Sequence, residues 1–138
     1  MTTGDLSQSE RNELLDVALK ASAMAFAPWS KFSVGAALLT SSGDVYRGCN
    51  IENASFGLTM CAERVAAFSA LAALGRERLE VRALAIATPA AKPCSPCGAC
   101  RQVLAQLAPD ATVVFEGGNG IQQIAVADLL PHSFDLSD

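Results

Sequence analysis

Two short segments, Cys61-Ala62-Glu63 and Pro96-Cys97-Gly98-Ala99-Cys100, constrain this chain more than any other feature, because its fold must bring three thiols and a carboxylate together. A structural zinc normally takes four protein ligands, whereas a catalytic zinc keeps three and leaves the fourth position for water or substrate. Cys61, Cys97 and Cys100 supply three. Glu63, next but one to Cys61 and in the opening turn of an expected helix, is placed to reach a metal-held water rather than the metal itself. That makes it the natural proton carrier. Three thiolates outweigh the double charge of Zn²⁺, so a cation should compensate. Arg64, adjacent to Glu63, is the first candidate and Arg101, beside Cys100, the second. The plain alternative for either arginine is a solvated helix-surface residue, and for Arg101 the two readings weigh about equally.

The global numbers allow this reading. A chain of 138 residues with 51% hydrophobic content is enough for one buried core, so a single domain over 1–138 is expected. A net charge of −4 with only 10 Lys+Arg argues against a surface that tracks nucleic-acid phosphates, and a small substrate is expected instead. No stretch approaches the roughly 18 apolar residues of a membrane span, and Met1-Thr2-Thr3-Gly4-Asp5 lacks the pattern of a signal peptide, so the expected location is cytoplasmic. In that compartment 5 cysteines are reduced thiols or ligands rather than a disulfide framework.

Ser7-Gln8-Ser9-Glu10 is a capping box, and Leu15, Ala18, Leu19, Ser22 and Phe26 keep helical spacing up to the break at Pro28. Val34 to Leu39 and Val45 to Ile51, around the turn Ser41-Ser42-Gly43-Asp44, read as a β-hairpin. Cys61 to Leu74 is an alanine-rich helix with Gly75 as its C-cap, and Val81 to Ala87 is a buried strand. After a loop over Thr88 to Pro96, a helix runs from Cys97 or Gly98 to Leu107. Strands follow at Thr112 to Phe115 and Ile121 to Val126, then a helical tail from Ala127 to Leu130. This order predicts an α/β domain in three layers around a mixed sheet, with crossover helices joining the middle strands. The turn made by Gly117, Gly118, Asn119 and Gly120 is too short for a parallel crossover, so the last two strands must be antiparallel. Both cysteine segments open helices, whose N-terminal partial charge favours thiolate over thiol. The i, i+3 spacing of Cys97 and Cys100 puts both sulfurs on one face.

Cys61-Ala62-Glu63-Arg64 and Pro96-Cys97-Gly98-Ala99-Cys100 resemble the zinc motifs of the cytidine deaminase family, a ligand set with a non-ligand glutamate that is known among zinc deaminases. Ala27-Pro28-Trp29-Ser30-Lys31-Phe32, then Val34-Gly35-Ala36-Ala37, Gly48-Cys49-Asn50-Ile51-Glu52-Asn53-Ala54-Ser55 and Leu129-Leu130-Pro131 resemble further family segments in the family's order. The resemblance implies the α/β/α cytidine deaminase-like fold with a five-stranded sheet, one Zn²⁺ per subunit, and hydrolytic deamination of cytidine or 2′-deoxycytidine in pyrimidine salvage. Water activated by the metal attacks C4 and Glu63 moves the protons. It also implies that Asn50 and Glu52 bind the ribose, that Phe32 packs beside the pyrimidine, and that the backbone of Ala62 and Ser95 contacts the base and its amino group. Phe134 matches a C-terminal aromatic that reaches a neighbouring subunit's site in the short, homotetrameric enzymes. A carboxylate at the sugar suits a nucleoside and repels a nucleotide's phosphate. Deaminases of RNA or DNA typically carry a helix between the last two strands, which this chain has no room for.

Some residues stand apart from that pattern. Cys94 forms a second CxxC with Cys97 that could be a redox pair, but is read as a bystander thiol near the site, and Cys49 as a buried inert one. His132 stands where the family commonly has glycine, Met60 where a polar residue is common, and Trp29 where tyrosine is usual; none is expected to touch the chemistry. Two rival readings are a zinc-binding or redox-sensing module, which lacks a fourth ligand, and a deaminase of another amine such as the antibiotic blasticidin. Enzymes of the latter kind typically lack the Asn-Ile-Glu-Asn segment found here.

Overall fold

The computed structural model describes residues 5–90 and 92–136; the start of the chain, read above as lacking a signal-peptide pattern, therefore falls largely outside the described residues. Ser7 caps the first helix, α1 (Gln8–Ala21), as its sequence predicts: the Ser7 hydroxyl accepts from the Glu10 N–H at 3.1 Å, and the Glu10 carboxylate accepts from the Ser7 N–H at 3.0 Å. The helix stops well short of Pro28. A 3₁₀ turn over Ser22–Met24 follows, the Ser22 hydroxyl donates back to the Leu19 carbonyl at 2.5 Å, and Ala25 is extended. Phe26, expected on the apolar helix face, instead bridges Ile51 in parallel. Pro28 disfavours helical backbone at the residue before it, so the chain is extended where the side-chain spacing alone suggests helix. The buried face of α1 is Leu14, Ala18 and Ala21, and Leu19 is exposed.

The strands are β1 (Gly35–Thr40), β2 (Val45–Cys49), β3 (Val81–Ala87), β4 (Thr112–Glu116) and β5 (Ile121–Ala125), in the spatial order β2-β1-β3-β4-β5. β1 is antiparallel to both neighbours, β3 and β4 are parallel, and β4 and β5 form the antiparallel hairpin required by their short turn. The crossover helices are α2 (Ala62–Leu74), ended by Gly75 at φ 78, and α3 (Gly98–Leu107). A single turn, α4 (Val126–Leu129), begins one residue earlier than expected.

The strand period of two divides the core into two layers. Ala36, Leu38, Leu84, Ile86, Val113 and Phe115 face the side of α2 and α3, where they pack with Ala66, Ala70 and Leu104. Ala37, Ala83, Ala85 and Val114 face α1, against Leu14 and Ala18. The domain is therefore a three-layer α/β/α sandwich around a mixed five-stranded sheet. Two glycines let the helices sit this close. A Cβ at Gly35 would lie 1.8 Å from the Ala18 carbonyl oxygen, and one at Gly48 would lie 2.4 Å from the Ala62 carbonyl oxygen and 2.5 Å from the Ala66 nitrogen. Gly48 thus fixes the height of α2's first turn above β2. No helix among the described residues is long and apolar enough to cross a membrane.

Candidate active site

Cys61 and Cys97 occupy the N-cap positions of α2 and α3, and neither side chain makes a capping hydrogen bond. Serine, threonine, aspartate or asparagine usually fills that position and satisfies the first helical N–H groups. Here the side chains turn to one another instead. Their sulfurs lie 3.8 Å apart, and those of Cys61, Cys97 and Cys100 all lie within 4.8 Å of one another. Zn–S bonds of about 2.3 Å directed tetrahedrally place sulfurs about 3.8 Å apart, so the trio fits a zinc ion closely. Cys61 is half-buried, Cys97 exposed and Cys100 buried, so the cluster opens on the Cys97 side.

The electrostatics divide the trio: the Cys100 thiol is pushed well up by its hydrogen bond to Cys61, by burial and by the Glu63 charge. The Cys61 thiol is drawn down to about 5 by hydrogen bonding from Cys100, then Arg64 and Cys97, and by the Arg64 charge, against the opposing effect of burial. Arg64 Nη2 donates to Cys61 Sγ at 3.3 Å, which brings the first predicted cation onto the ligand cluster. Arg101, the second, touches no sulfur. Its Nε donates to the Pro96 carbonyl at 2.8 Å and its Nη1 to the Leu129 carbonyl at 3.1 Å. It braces the backbone before Cys97 rather than offsetting sulfur charge. Glu63 is 6% exposed, and burial raises its carboxyl above the ordinary value, with the neighbouring Cys61 charge acting in the same direction.

Beside this cluster lies a cavity of about 370 Å³, within the usual range for small-molecule sites. Cys61, Ala62, Glu63, Ser95 and Cys97 line its metal end, and Phe32, Asn50 and Glu52 line the other. Of the predicted contact residues, Phe134 alone is distant. Its side chain is 68% exposed and its carbonyl accepts from Gln102 Nε2 at 3.1 Å, so it is outside this chain's own cavity. The Asn50 side chain has two backbone partners: Oδ1 accepts from the Val34 N–H and Nδ2 donates to the Phe32 carbonyl, both at 2.8 Å. Glu52 is held low in pKa by the Ser30 hydroxyl, aided by the Ser30 and Trp29 N–H groups and the Lys31 charge.

Sequence reading missed part of this wall. Met60, expected to stand clear of the chemistry, lines the cavity, and the Trp29 N–H donates to Glu52, while Cys94 lines it as a thiol near the site should. The reason is the stitching of three segments distant in sequence: Glu52 N–H donates to the Phe26 carbonyl at 2.8 Å, while Ile51 and Met60 exchange backbone hydrogen bonds at 2.9 Å. Cys94 is buried, its thiol is pushed up by burial, and it donates to the Ile86 carbonyl at 3.7 Å. Cys49 is half-buried and likewise pushed up. His132 adopts a left-handed φ of 56, a conformation glycine takes freely and most residues avoid.

Fold and site together describe a class, a small α/β enzyme with an open three-thiolate zinc centre under a ligand-sized cavity. Residues 8–116 match the family described as the cytidine and deoxycytidylate deaminase zinc-binding region. A cytidine deaminase of Halalkalibacterium halodurans is 47% identical over 131 residues, covering 94% of this chain and 97% of that protein. The crystal structure of a cytidine deaminase from Burkholderia pseudomallei superposes with a TM-score of 0.82 at 43% identity, covering 94% of this chain and 100% of that one. One from Mycobacterium tuberculosis gives 0.80 at 37% identity, covering 96% and 100%. The chain belongs to the cytidine deaminase family.

Proposed function

We propose that this enzyme hydrolyses cytidine and 2′-deoxycytidine to uridine and 2′-deoxyuridine, releasing ammonia, as a cytoplasmic enzyme of pyrimidine salvage. The observation that carries the reading is one cavity lined by the metal cysteines and buried Glu63 at one end and by Asn50 and Glu52 at the other. Cys61, Cys97 and Cys100 hold the zinc. When bound, the ion supplies a Lewis acid with an open fourth position that lowers the pKa of water toward 7.

Glu63 does the proton work. It takes a proton from the attacking water and delivers it to N3 of the cytosine ring, then takes the remaining proton of the new C4 hydroxyl and passes it to the departing amine; burial shifts its carboxyl upward, the direction a proton carrier needs. The N–H of Ala62, one of the unpaired donors of a helix N-terminus, and the carbonyl of Ser95 hold the base and its amino group, and Phe32 packs beside the ring. Asn50 retains one N–H and one lone pair beyond its backbone contacts, enough for a sugar hydroxyl, and Glu52 accepts another. Arg64 offsets the thiolate charge, and Arg101 holds the Pro96 backbone beside Cys97. The 138 residues act as one domain. The working form is a homotetramer in which Phe134 of one subunit completes a neighbour's cavity, and the substrate is a free nucleoside rather than nucleic acid.

The test is ammonia release from cytidine by the zinc-loaded protein, with Glu63→Gln as control. The variant is expected to keep its zinc and lose about 10²-fold or more of turnover. Full turnover with zinc retained would remove Glu63 from the proton path.

A further inference from the structure

Glu52 is an anion whose acceptor sites are almost fully used by the protein. A carboxylate offers roughly four lone-pair positions. Oε1 accepts from the Trp29 N–H at 3.1 Å and the Ser30 N–H at 3.2 Å, and Oε2 accepts from the Ser30 hydroxyl. One position on Oε2 is left. The direction of the hydroxyl bond is forced, because Ser30 Oγ also accepts from the Phe32 N–H at 3.0 Å and a carboxylate can only accept. Ser30 therefore links the carboxylate to the backbone of Phe32, whose carbonyl is gripped in turn by Asn50. Lys31, between them, is kept at a left-handed φ of 59 that a lysine seldom adopts, and its N–H donates to the Ala27 carbonyl at 3.1 Å. Ser30 and Glu52 both line the cavity.

We infer that Ser30 is the positioning residue for sugar recognition: its hydroxyl orients Glu52 and leaves that carboxylate one open acceptor position for one sugar hydroxyl. The inference rests on the nucleoside reading above. It also explains selection, since a single directed acceptor welcomes a hydroxyl donor and offers nothing to a group that can only accept. Removing the Ser30 hydroxyl frees the carboxylate to rotate, and the loss falls on substrates that use it.

The experiment compares wild type, Ser30→Ala and Ser30→Thr on cytidine and on 2′,3′-dideoxycytidine, which lacks the two ring hydroxyls. Zinc content and thermal midpoint serve as controls for folding. Ser30→Ala is expected to lower kcat/KM for cytidine by roughly tenfold or more while changing that for dideoxycytidine less than twofold. Ser30→Thr, which keeps the hydroxyl, recovers cytidine turnover. Equal losses on both substrates, or none on either, would overturn the assignment. If Ser30→Ala does not fold, Ser30→Cys, with its weaker donor, is read by the same ratio. A second readout needs no turnover: the carboxyl ¹³C titration of Glu52, assigned by its loss in Glu52→Gln, should move up in Ser30→Ala and return in Ser30→Thr. A wild type that releases no ammonia from cytidine would remove the activity reading alone. The Glu52 titration would then decide the role of Ser30, and an unmoved midpoint would reject it.

Discussion

Arg64 Nη2 lies 3.3 Å from Cys61 Sγ, which sets a positive charge against the three-sulfur cluster. A guanidinium is always charged and holds its proton under any working condition, so it can lower the Cys61 thiol without titrating itself. Arg64→Ala is expected to weaken zinc binding by about 10- to 100-fold, measured by competition with a chromogenic chelator, with the secondary structure unchanged by circular dichroism. The clustering of Cys61, Cys97 and Cys100 with Glu63 beside them was legible at this scale, because ligand type and spacing along two helix starts are local properties. That Arg101 braces Pro96 and Leu129 was not legible, since adjacency to Cys100 says nothing of where a long side chain goes.

At the scale of the elements, the first turn of α2 carries Cys61 and Glu63, and Gly48 sets its distance from β2. Gly48→Ala would push a methyl group onto backbone atoms of Ala62 and Ala66, which cannot give way as a flexible side chain can. The expected cost is about 1–3 kcal/mol in denaturant unfolding, together with weaker zinc binding. The docking of α1 has a pH dependence of its own. Arg82 forks onto Glu10 with N–O distances of 2.6 and 3.1 Å and holds its carboxyl down to about 2, below the ordinary 4.5. A depressed carboxyl stabilises the fold above its unfolded pKa, so this contribution is complete at neutral pH and disappears as pH falls from about 4.5 toward 2. Glu10→Gln keeps the capping geometry but loses the charge. Its stability deficit against wild type should shrink to nothing across that same window in urea titrations. Helix ends were the least legible elements: Phe26 keeps the helical spacing of α1 yet pairs with Ile51, because Pro28 and the 3₁₀ turn at Ser22 decide the backbone.

For the whole molecule, Phe134 is exposed and lies outside the cavity of its own chain. If a neighbour supplies Phe134, then Phe134→Ala and Glu63→Gln damage different halves of one site. Mixing the two inactive or weakened variants, with dissociation and reassociation, is expected to raise ammonia release above either alone, because some sites receive Phe134 and keep Glu63. Phe134→Ala alone should lose up to about tenfold in kcat/KM, the scale of one aromatic contact. No recovery on mixing, or full activity in a monomer peak on gel filtration, would confine the site to one chain.

By itself, the sequence determined the layer order, the antiparallel last hairpin and the three thiols with their carboxylate, since these follow from local spacing and turn length, and it carried the family resemblance in its matching segments. Only the tertiary structure decided which oxygens of Glu52 are free, that Asn50 grips the Phe32 and Val34 backbone, and that Met60 lines the cavity. Those contacts join segments far apart in sequence. Their hydrogen-bond partners are backbone groups common to every residue type, so no pattern of side chains announces them.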